Sequence, residues 1–307
     1  MKSAIVTGAN GFVGSNLVEK LSKNGVQVYA FVRDKRESKR LIDCNNITII
    51  ECKMNEYKSI KDYFYGNNID VFYHYAWDGT AGERRGDYNI QLKNVEYTCD
   101  AVKMAKAIGV KKFIFAGSII EYEYMKCIEQ KKECLGINNM YGIGKLTARH
   151  MAKILANNIN IDFVETTISN IYGPSELSPR LLNITLRKML NGEKTSFTTC
   201  EQLYDFIYIN DAVQAFYDIG LKGKKNTNYY IGNKSPRQLK NFIIEMRNII
   251  NKDLDLGFGE ILFNGISLNY KELDTSILYD ELGFKTKISF KEGVERTACW
   301  LKAKEGE

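Results

Sequence analysis

Short apolar runs recur through the first half of the chain, at residues 3–7, 26–32, 46–51, 69–75, 111–116 and 160–167. They are too short for core helices and too continuous for half-exposed strands. Runs of that kind belong to strands buried on both faces of a parallel sheet. Between them the apolar positions take a helical period, at 12–23, about 34–43, 56–65, 88–108 and 140–157. Strand and helix in alternation predict an α/β fold, a doubly wound parallel sheet with helices on both faces. After residue 170 the pattern loosens, and "GPSELSP" (173–179) holds two of the chain's three prolines. The runs "DFIYI" (205–209) and "NYYIG" (228–232) read as strands returning to the first sheet. The expected division is 1–169 plus 203–232 for the sheet domain, and 170–202 plus 233–307 for a smaller, discontinuous α/β domain.

Directly after the first strand comes "TGANGFVG" (7–14), with Gly8, Gly11 and Gly14 spaced three apart and a helical pattern beyond them. Gly8 permits a tight turn, Gly11 a close approach of backbone to a pyrophosphate, and Gly14 close packing of helix on strand. Asn10, Phe12 and Val13 complete the loop and open the helix, whose free N–H groups and positive dipole end suit phosphates. The loop therefore predicts a Rossmann dinucleotide site; the plain alternative is an ordinary strand–helix turn. Which dinucleotide depends on the end of the second strand. An acid there would hold ribose hydroxyls, but "VQVYAFV" ends at Val32 and "RDKRESKR" comes next. Arg33 stands where a 2′-phosphate would sit, and a guanidinium matches that group as no carboxylate can. NADP(H) is the expected cofactor, with NAD(H) kept open by Asp34. Lys39 and Arg40 read as a solvated helix face.

Acid–base chemistry is signalled by "NNMYGIGKLTARH" (138–150). Tyr141 and Lys145 are four apart on one helix face. A lysine beside a phenol stabilises its phenolate and brings the proton within use near neutral pH. By itself the pair reads equally as a surface tyrosine and a solvated lysine. The strand "FIFAGS" (113–118) adds Ser118 at the carboxyl edge of the sheet, where ligands bind and where its hydroxyl can reach the oxygen that Tyr141 protonates.

Together, the glycine loop, Ser118 and Tyr141-x-x-x-Lys145 resemble the extended short-chain dehydrogenase/reductase family, over nearly the whole chain. Tyr75, Ala76 and Trp77 in "HYAW" are similar to the family's fourth-strand motif beneath the nicotinamide, and Asn94 in "NVEYT" to its next helix. Asn170 in "NIYGP" and the segment 201–212 are similar to the nucleotide-sugar branch, which holds epimerases, dehydratases and 4-keto reductases. The resemblance implies a nucleoside-diphosphate sugar as substrate, bound by the smaller domain, and a homodimer. It also has departures. Dehydratases of the branch carry an Asp–Glu pair directly after the catalytic Ser or Thr; here Ile119 and Ile120 stand there, and Glu121 and Glu123 are out of phase with that pair. Only an atypical dehydratase working through Glu121 would remain. Tyr204 replaces the branch's phosphate-binding arginine, which leaves the diphosphate to Arg180, Arg187, Arg237 or Lys271. Lys53 stands where the adenine-side Asp is expected. The loop "WDGTAGERRGDYN" (77–89) reads either as an active-site flap, with Trp77 and Glu121 near the sugar, or as plain surface.

Composition excludes more than it adds. Hydrophobic residues make up 44% of the 307, enough for a packed core. A net charge of +6, with cations and acids interleaved, reads as solvated surface and not as a nucleic-acid footprint. No apolar run approaches the ~20 residues of a membrane span. Seven cysteines without a C-x-x-C pair suggest reduced thiols and a cytoplasmic protein. The two histidines lack partners at metal-ligand spacing, so no metal is expected. The overall expectation is an NADPH-dependent reductase of an NDP-4-keto-6-deoxyhexose. The alternatives are an NAD-dependent 4-epimerase, an atypical dehydratase or a non-catalytic NADPH-binding sensor.

Overall fold

A computed structural model describes residues 1–64, 68–133 and 136–305; the side chains of Lys271 and Glu305 are not described. Six of the predicted strands form as β1 (Ser3–Thr7), β2 (Gln27–Val32), β3 (Ile47–Glu51), β4 (Val71–His74), β5 (Lys112–Ser118) and β6 (Asp162–Ile168). With β7 (Asn228–Ile231) they make one seven-stranded sheet in the order β7-β6-β5-β4-β1-β2-β3. The pairs from β6 through to β3 are all parallel. The order reverses beside β1, where a doubly wound sheet opens a crevice at its carboxyl edge. Phe72, Phe113 and Phe163 stack as adjacent rungs of one sheet face, with Phe72–Phe113 centroids 5.0 Å apart and Phe113–Phe163 5.7 Å. That aromatic ladder lies in a buried cluster with Val95, Ala101, Ala148 and Ala152 from two helices.

Those helices carry the site. They are α2 (Tyr88–Ala107) and α4 (Ile137–Asn158); α1 (Phe12–Lys23) precedes them, and α3 (Ile119–Glu129) lies between them. Helix α3 has no counterpart in the apolar periodicity. Its start is a capping box: Ser118 Oγ accepts from the Ile120 N–H at 3.3 Å, and Glu121 accepts from the Ser118 N–H at 2.7 Å. Two expected helices shrink to 3₁₀ turns, Lys35–Glu37 and Ile60–Phe64. In the first, Asp34 accepts from the Arg36 N–H and Ser38 Oγ donates to the Asp34 carbonyl. Such local side-chain bonds compete with the helical ladder and end it after a turn.

The chain divides into two compact units: Met1–Ile168 with Val213–Tyr230 and Ser276–Phe284, and Ser169–Ala212 with Ile231–Thr275 and Lys285–Glu307. The expected division differs from these units chiefly at two places. Residues 203–212 join the second unit, where Phe206–Tyr208 pairs in parallel with Asn170–Tyr172 instead of returning to the main sheet. Hydrophobicity alone cannot distinguish those destinations. The Asp205 carboxylate can: it is fully buried and accepts twice from the Asn233 N–H, at 2.8 and 3.0 Å, within the second unit. The other exception is Ser276–Phe284, which belongs to the first unit. The second unit also contains α5 (Leu181–Leu190), α7 (Leu239–Ile250) and α8 (Phe290–Glu305), while α6 (Ile209–Lys222) precedes β7. No described helix is long and apolar enough to cross a membrane.

Candidate active site

The glycine loop has the form that a dinucleotide requires. A Cβ on Gly14 would lie 2.2 Å from the Gly8 carbonyl oxygen, so only glycine lets α1 approach the turn this closely. Gly8 itself adopts φ +64°, a region that side chains resist. Gly11 caps α1 without a side-chain acceptor, which leaves the N–H groups of Phe12, Val13 and Gly14 for an anion. Asn10 has a bracing position: its Nδ2 donates to the Glu37 carbonyl at 2.8 Å and its Oδ1 accepts from the Arg40 N–H at 3.2 Å. Arg40 is thus drawn against the loop, its guanidinium donating to the Asn10 carbonyl at 3.4 Å, which corrects its reading as a solvated face. Asp34 is engaged by Arg36, whose guanidinium holds the carboxyl below the usual carboxylate range. Arg33, one residue past β2, is exposed.

Behind the loop the end of β4 is fixed by hydroxyls. Thr7 Oγ1 accepts from the Tyr75 and Ala76 N–H groups at 3.2 and 3.1 Å and meets His74 Nδ1 at 3.0 Å. His74 Nε2 lies 3.3 Å from Thr98 Oγ1. Burial pushes the imidazole down to about 3, so it stays neutral and serves as a brace. Tyr75 sets its ring edge-on against Phe216. Asn94 spends both ends of its amide on Asp78, donating to the carbonyl at 2.9 Å and accepting from the N–H at 3.0 Å.

Helix α4 lies close on its neighbours because "YGIGK" places glycines at the contacts. A Cβ on Gly142 would come 3.0 Å from the Ile120 carbonyl of α3, and one on Gly144 3.0 Å from Gln91 of α2. Tyr141 and Lys145 are thereby held, at 8% and 4% exposure, beside the end of β5. Lys145 Nζ donates to the Ala116 carbonyl at 2.9 Å and sits 3.8 Å over the Trp77 ring. Burial lowers its pKa to about 7, against the opposing pull of Glu121. The Tyr141 ring meets Trp77 edge to face at 6.1 Å, while Trp77 Nε1 donates to Gln91 Oε1 at 3.0 Å. Residues 77–89 are therefore engaged with the tyrosine: the Arg85 guanidinium stands 4.1 Å from the centre of the Tyr141 ring. Within the first unit, Ser118, Tyr141, Lys145 and Trp77 lie around the end of β5.

The expectation that Glu121 lies near the sugar is corrected. It is 1% exposed, anchors the Ser118 N–H and faces Arg149 Nε at 3.0 Å, so its carboxylate is turned into the core and engaged there. Arg149, Arg85 and Gln91 are site-building residues that the sequence pattern does not reveal. A buried arginine on a helix gives no periodic signal apart from its charge. Glu123, also on α3, is a second acid close to the site. Burial raises its carboxyl to about 7, with Arg85 opposing.

In the second unit Asn170 Nδ2 donates to the Asp205 carbonyl at 3.0 Å, and Tyr204 OH donates to Asn170 Oδ1 at 3.2 Å. Arg180 caps the start of α5 and is exposed, whereas Arg187 is half-buried with its Nε lacking a partner among the described residues. Arg237 is paired with Glu245 at 2.8 Å. No group of three metal-ligating side chains occurs among the described residues. Among the described residues the thiols of Cys44, Cys52, Cys99, Cys200 and Cys299 are free; Cys134 lies outside the described residues.

The chain is similar to several known proteins. The chain is 24% identical over 310 aligned positions to the CDP-abequose synthase of Salmonella muenchen, covering 96% of each. It is 23% identical to the dTDP-D-glucose 4,6-dehydratase of Dictyostelium discoideum, covering 98% of this chain and 82% of that one. A UDP-glucose 4-epimerase of Thermotoga maritima, solved with UDP-glucose, shares the fold with TM-score 0.78 at 20% identity, covering 99% of each chain. The family model described as "NAD dependent epimerase/dehydratase family" matches residues 4–232, and the chain belongs to that family.

Proposed function

We propose that this protein is an NADPH-dependent reductase of a nucleoside-diphosphate 4-keto-6-deoxyhexose. The observation carrying this reading is the absence of a usable acid–base pair at the three positions after Ser118. Ile119 is buried, Ile120 is apolar, and Glu121 is locked on Arg149. An elimination needs a base for the C5 proton and an acid for the leaving hydroxyl; a reduction needs only one proton donor. When bound, the dinucleotide would be held by the loop Gly8–Gly14 and would supply the hydride equivalent. The protein's own part is then simple. Tyr141 gives its phenolic proton to the carbonyl oxygen, Ser118 Oγ donates to the same oxygen, and Lys145 holds the cofactor ribose and steadies the phenolate. Within the second unit, Arg187, whose Nε lacks a hydrogen-bond partner among the described residues, and exposed Arg180 are the candidate cations for a diphosphate, with Asn170 a candidate polar contact. Trp77 would wall the sugar. A homodimer is part of this reading: Leu92 of α2 and Met151 and Ile154 of α4 are exposed at 62%, 52% and 63%. Sedimentation as a monomer would remove that part.

The discriminating experiment incubates the protein with NADPH and a panel of NDP-hexoses and their 4-keto-6-deoxy forms, and reads the products by mass spectrometry. Stoichiometric NADPH oxidation with a 4-keto-6-deoxy sugar, and a gain of two hydrogens, is expected. An unchanged mass with a new sugar epimer would instead establish the epimerase, as in several relatives with this fold. Loss of one water would establish a dehydratase, and Glu123 would then be its candidate acid.

The cofactor preference rests on Arg33, exposed at the end of β2, and on Asp34 being engaged by Arg36. Arg33→Ala should weaken NADPH binding about tenfold or more, the worth of one charge-assisted contact, and leave NADH binding nearly unchanged. Calorimetric titration with both cofactors checks this. Equal losses for both would show that Arg33 does not read the 2′-phosphate.

A further inference from the structure

The loop between β4 and α2 is built like a clamp, and its product is the position of one side chain. Asp78 is tied to Asn94 through both its backbone groups and to Arg84 through a 2.6 Å ion pair. Gln91 Nε2 donates to the carbonyls of Gly79 at 3.4 Å and Arg85 at 3.2 Å. Gly79, at φ +66°, lets the chain fold so tightly that a Cβ would lie 2.5 Å from the Arg84 carbonyl oxygen. At the far end, Gly86 sits so close to Ile137 of α4 that a Cβ would come within 2.8 Å of its Cγ2. Arg85, between those anchors, donates from Nη1 to the Thr80 carbonyl at 3.1 Å and lays its guanidinium 4.1 Å from the centre of the Tyr141 ring.

We infer that Arg85 is a positioning residue for Tyr141: it holds the phenol ring against Trp77 and supplies a permanent positive charge that stabilises the phenolate. A cation over an aromatic face is attracted by the ring's quadrupole, more strongly when both are shielded from water. A fixed positive charge near a phenol also favours its ionised form. This matters because Lys145, on the same face of α4, has its pKa lowered by burial, with Glu121 opposing and Arg85 itself adding to the lowering, so its charge is the less permanent of the two. A guanidinium does not lose its proton near neutral pH. Other titratable groups near the site, among the described residues, include Glu123 on α3, opposed by Arg85, and Glu121 on α3, set against Arg149 of α4; His74 of β4 is influenced by Lys145 and stays neutral. Arg85 over the Tyr141 ring and Lys145 on the same helix face are thus two cations close to the tyrosine.

The role in turnover rests on the reductase reading, but the effect on the phenol does not, and the test separates them. Tyr141 ionisation is isolated as the tyrosinate absorbance of the parent minus that of Tyr141→Phe, repeated on an Arg85→Gln background and an Arg85→Lys background. Arg85→Gln keeps a donor for Thr80 and loses the charge. It should raise the Tyr141 midpoint by about one pH unit, the low end of the effect of an adjacent charge. Arg85→Lys should return it most of the way. In the reductase assay, activity falls as pH rises through the Tyr141 pKa, because the proton donor is lost. That alkaline limb should therefore move to higher pH in Arg85→Gln by the same amount, with KM for NADPH unchanged. A midpoint shift without any reductase activity supports the inference and removes the function reading. An unmoved midpoint in a folded Arg85→Gln protein overturns the inference, whatever the activity. So does an Arg85→Lys midpoint as high as that of Arg85→Gln, which shows that charge is not the cause.

Discussion

Tyr141→Phe should lower turnover by about two to four orders of magnitude, the usual worth of a positioned proton donor, and leave dinucleotide affinity unchanged. The ring volume is preserved, so the edge-to-face contact with Trp77 and the seat under Arg85 survive. What disappears is the hydroxyl. Neither Ile119, which is buried and apolar, nor Glu121, which is held by Arg149 in the core, can replace it. Lys145 donates to the Ala116 carbonyl and lies over Trp77. Steady-state rates with saturating NADPH and the 4-keto substrate give the first number, and cofactor titration gives the second. A rate close to the parent's would take the proton-donor role away from Tyr141. A parallel loss of cofactor affinity would instead mean that the hydroxyl mainly organises the binding site.

Much of this site was legible in the sequence because its parts are local. The glycine spacing sits within eight residues, between a continuous apolar run and a helical period, and the steric demands at Gly8 and Gly14 leave few other residue choices. Tyr141 and Lys145 share a helix face by spacing alone. What stayed hidden depends on long-range pairing. Arg85 reads as one more cation in a charged loop until Gln91, Asn94 and Ile137 fold that loop onto α4. Glu121 reads as an acid beside Ser118 until Arg149, 28 positions later, draws it into the core. The same limit explains the strand at Phe206–Tyr208. Its apolar run suits either sheet, and the choice is made by Asp205 capturing the backbone of Asn233. The short 3₁₀ turn after Asp34 reflects local side-chain bonding that outcompetes a weak helical period.

Arg149→Met should destabilise the folded protein by about 3–5 kcal/mol, the cost of leaving a buried charge without its partner. Arg149, Glu121 and Glu165 are 5%, 1% and 3% exposed, and they form a chain in which one guanidinium serves two carboxylates. Its Nε lies 3.0 Å from Glu121 and 3.7 Å from Glu165. The Nε–Glu121 contact lacks good hydrogen-bond alignment, so its value is mainly Coulombic and depends on a dry surrounding. Lys153 also reaches Glu165, which leaves Glu121 as the group that loses most. Burial already pushes the Glu121 carboxyl above its ordinary value, with Arg149 the first opposing influence. Without the guanidinium its folded pKa rises further above the unfolded one. A carboxyl of that kind is tolerated when protonated and costs stability once ionised. The deficit of Arg149→Met relative to the parent should therefore be smallest below about pH 4.3, the unfolded value for a glutamate. It should grow as pH rises through the interval between the parent's raised folded pKa and the variant's still higher one. Urea unfolding of both proteins across that range measures the difference directly. Arg149→Met with Glu121→Gln should recover most of the loss, because the amide keeps an acceptor for the Ser118 N–H without a charge to compensate. A deficit that is flat with pH, and is not recovered by the second substitution, would show that Arg149 acts through packing alone.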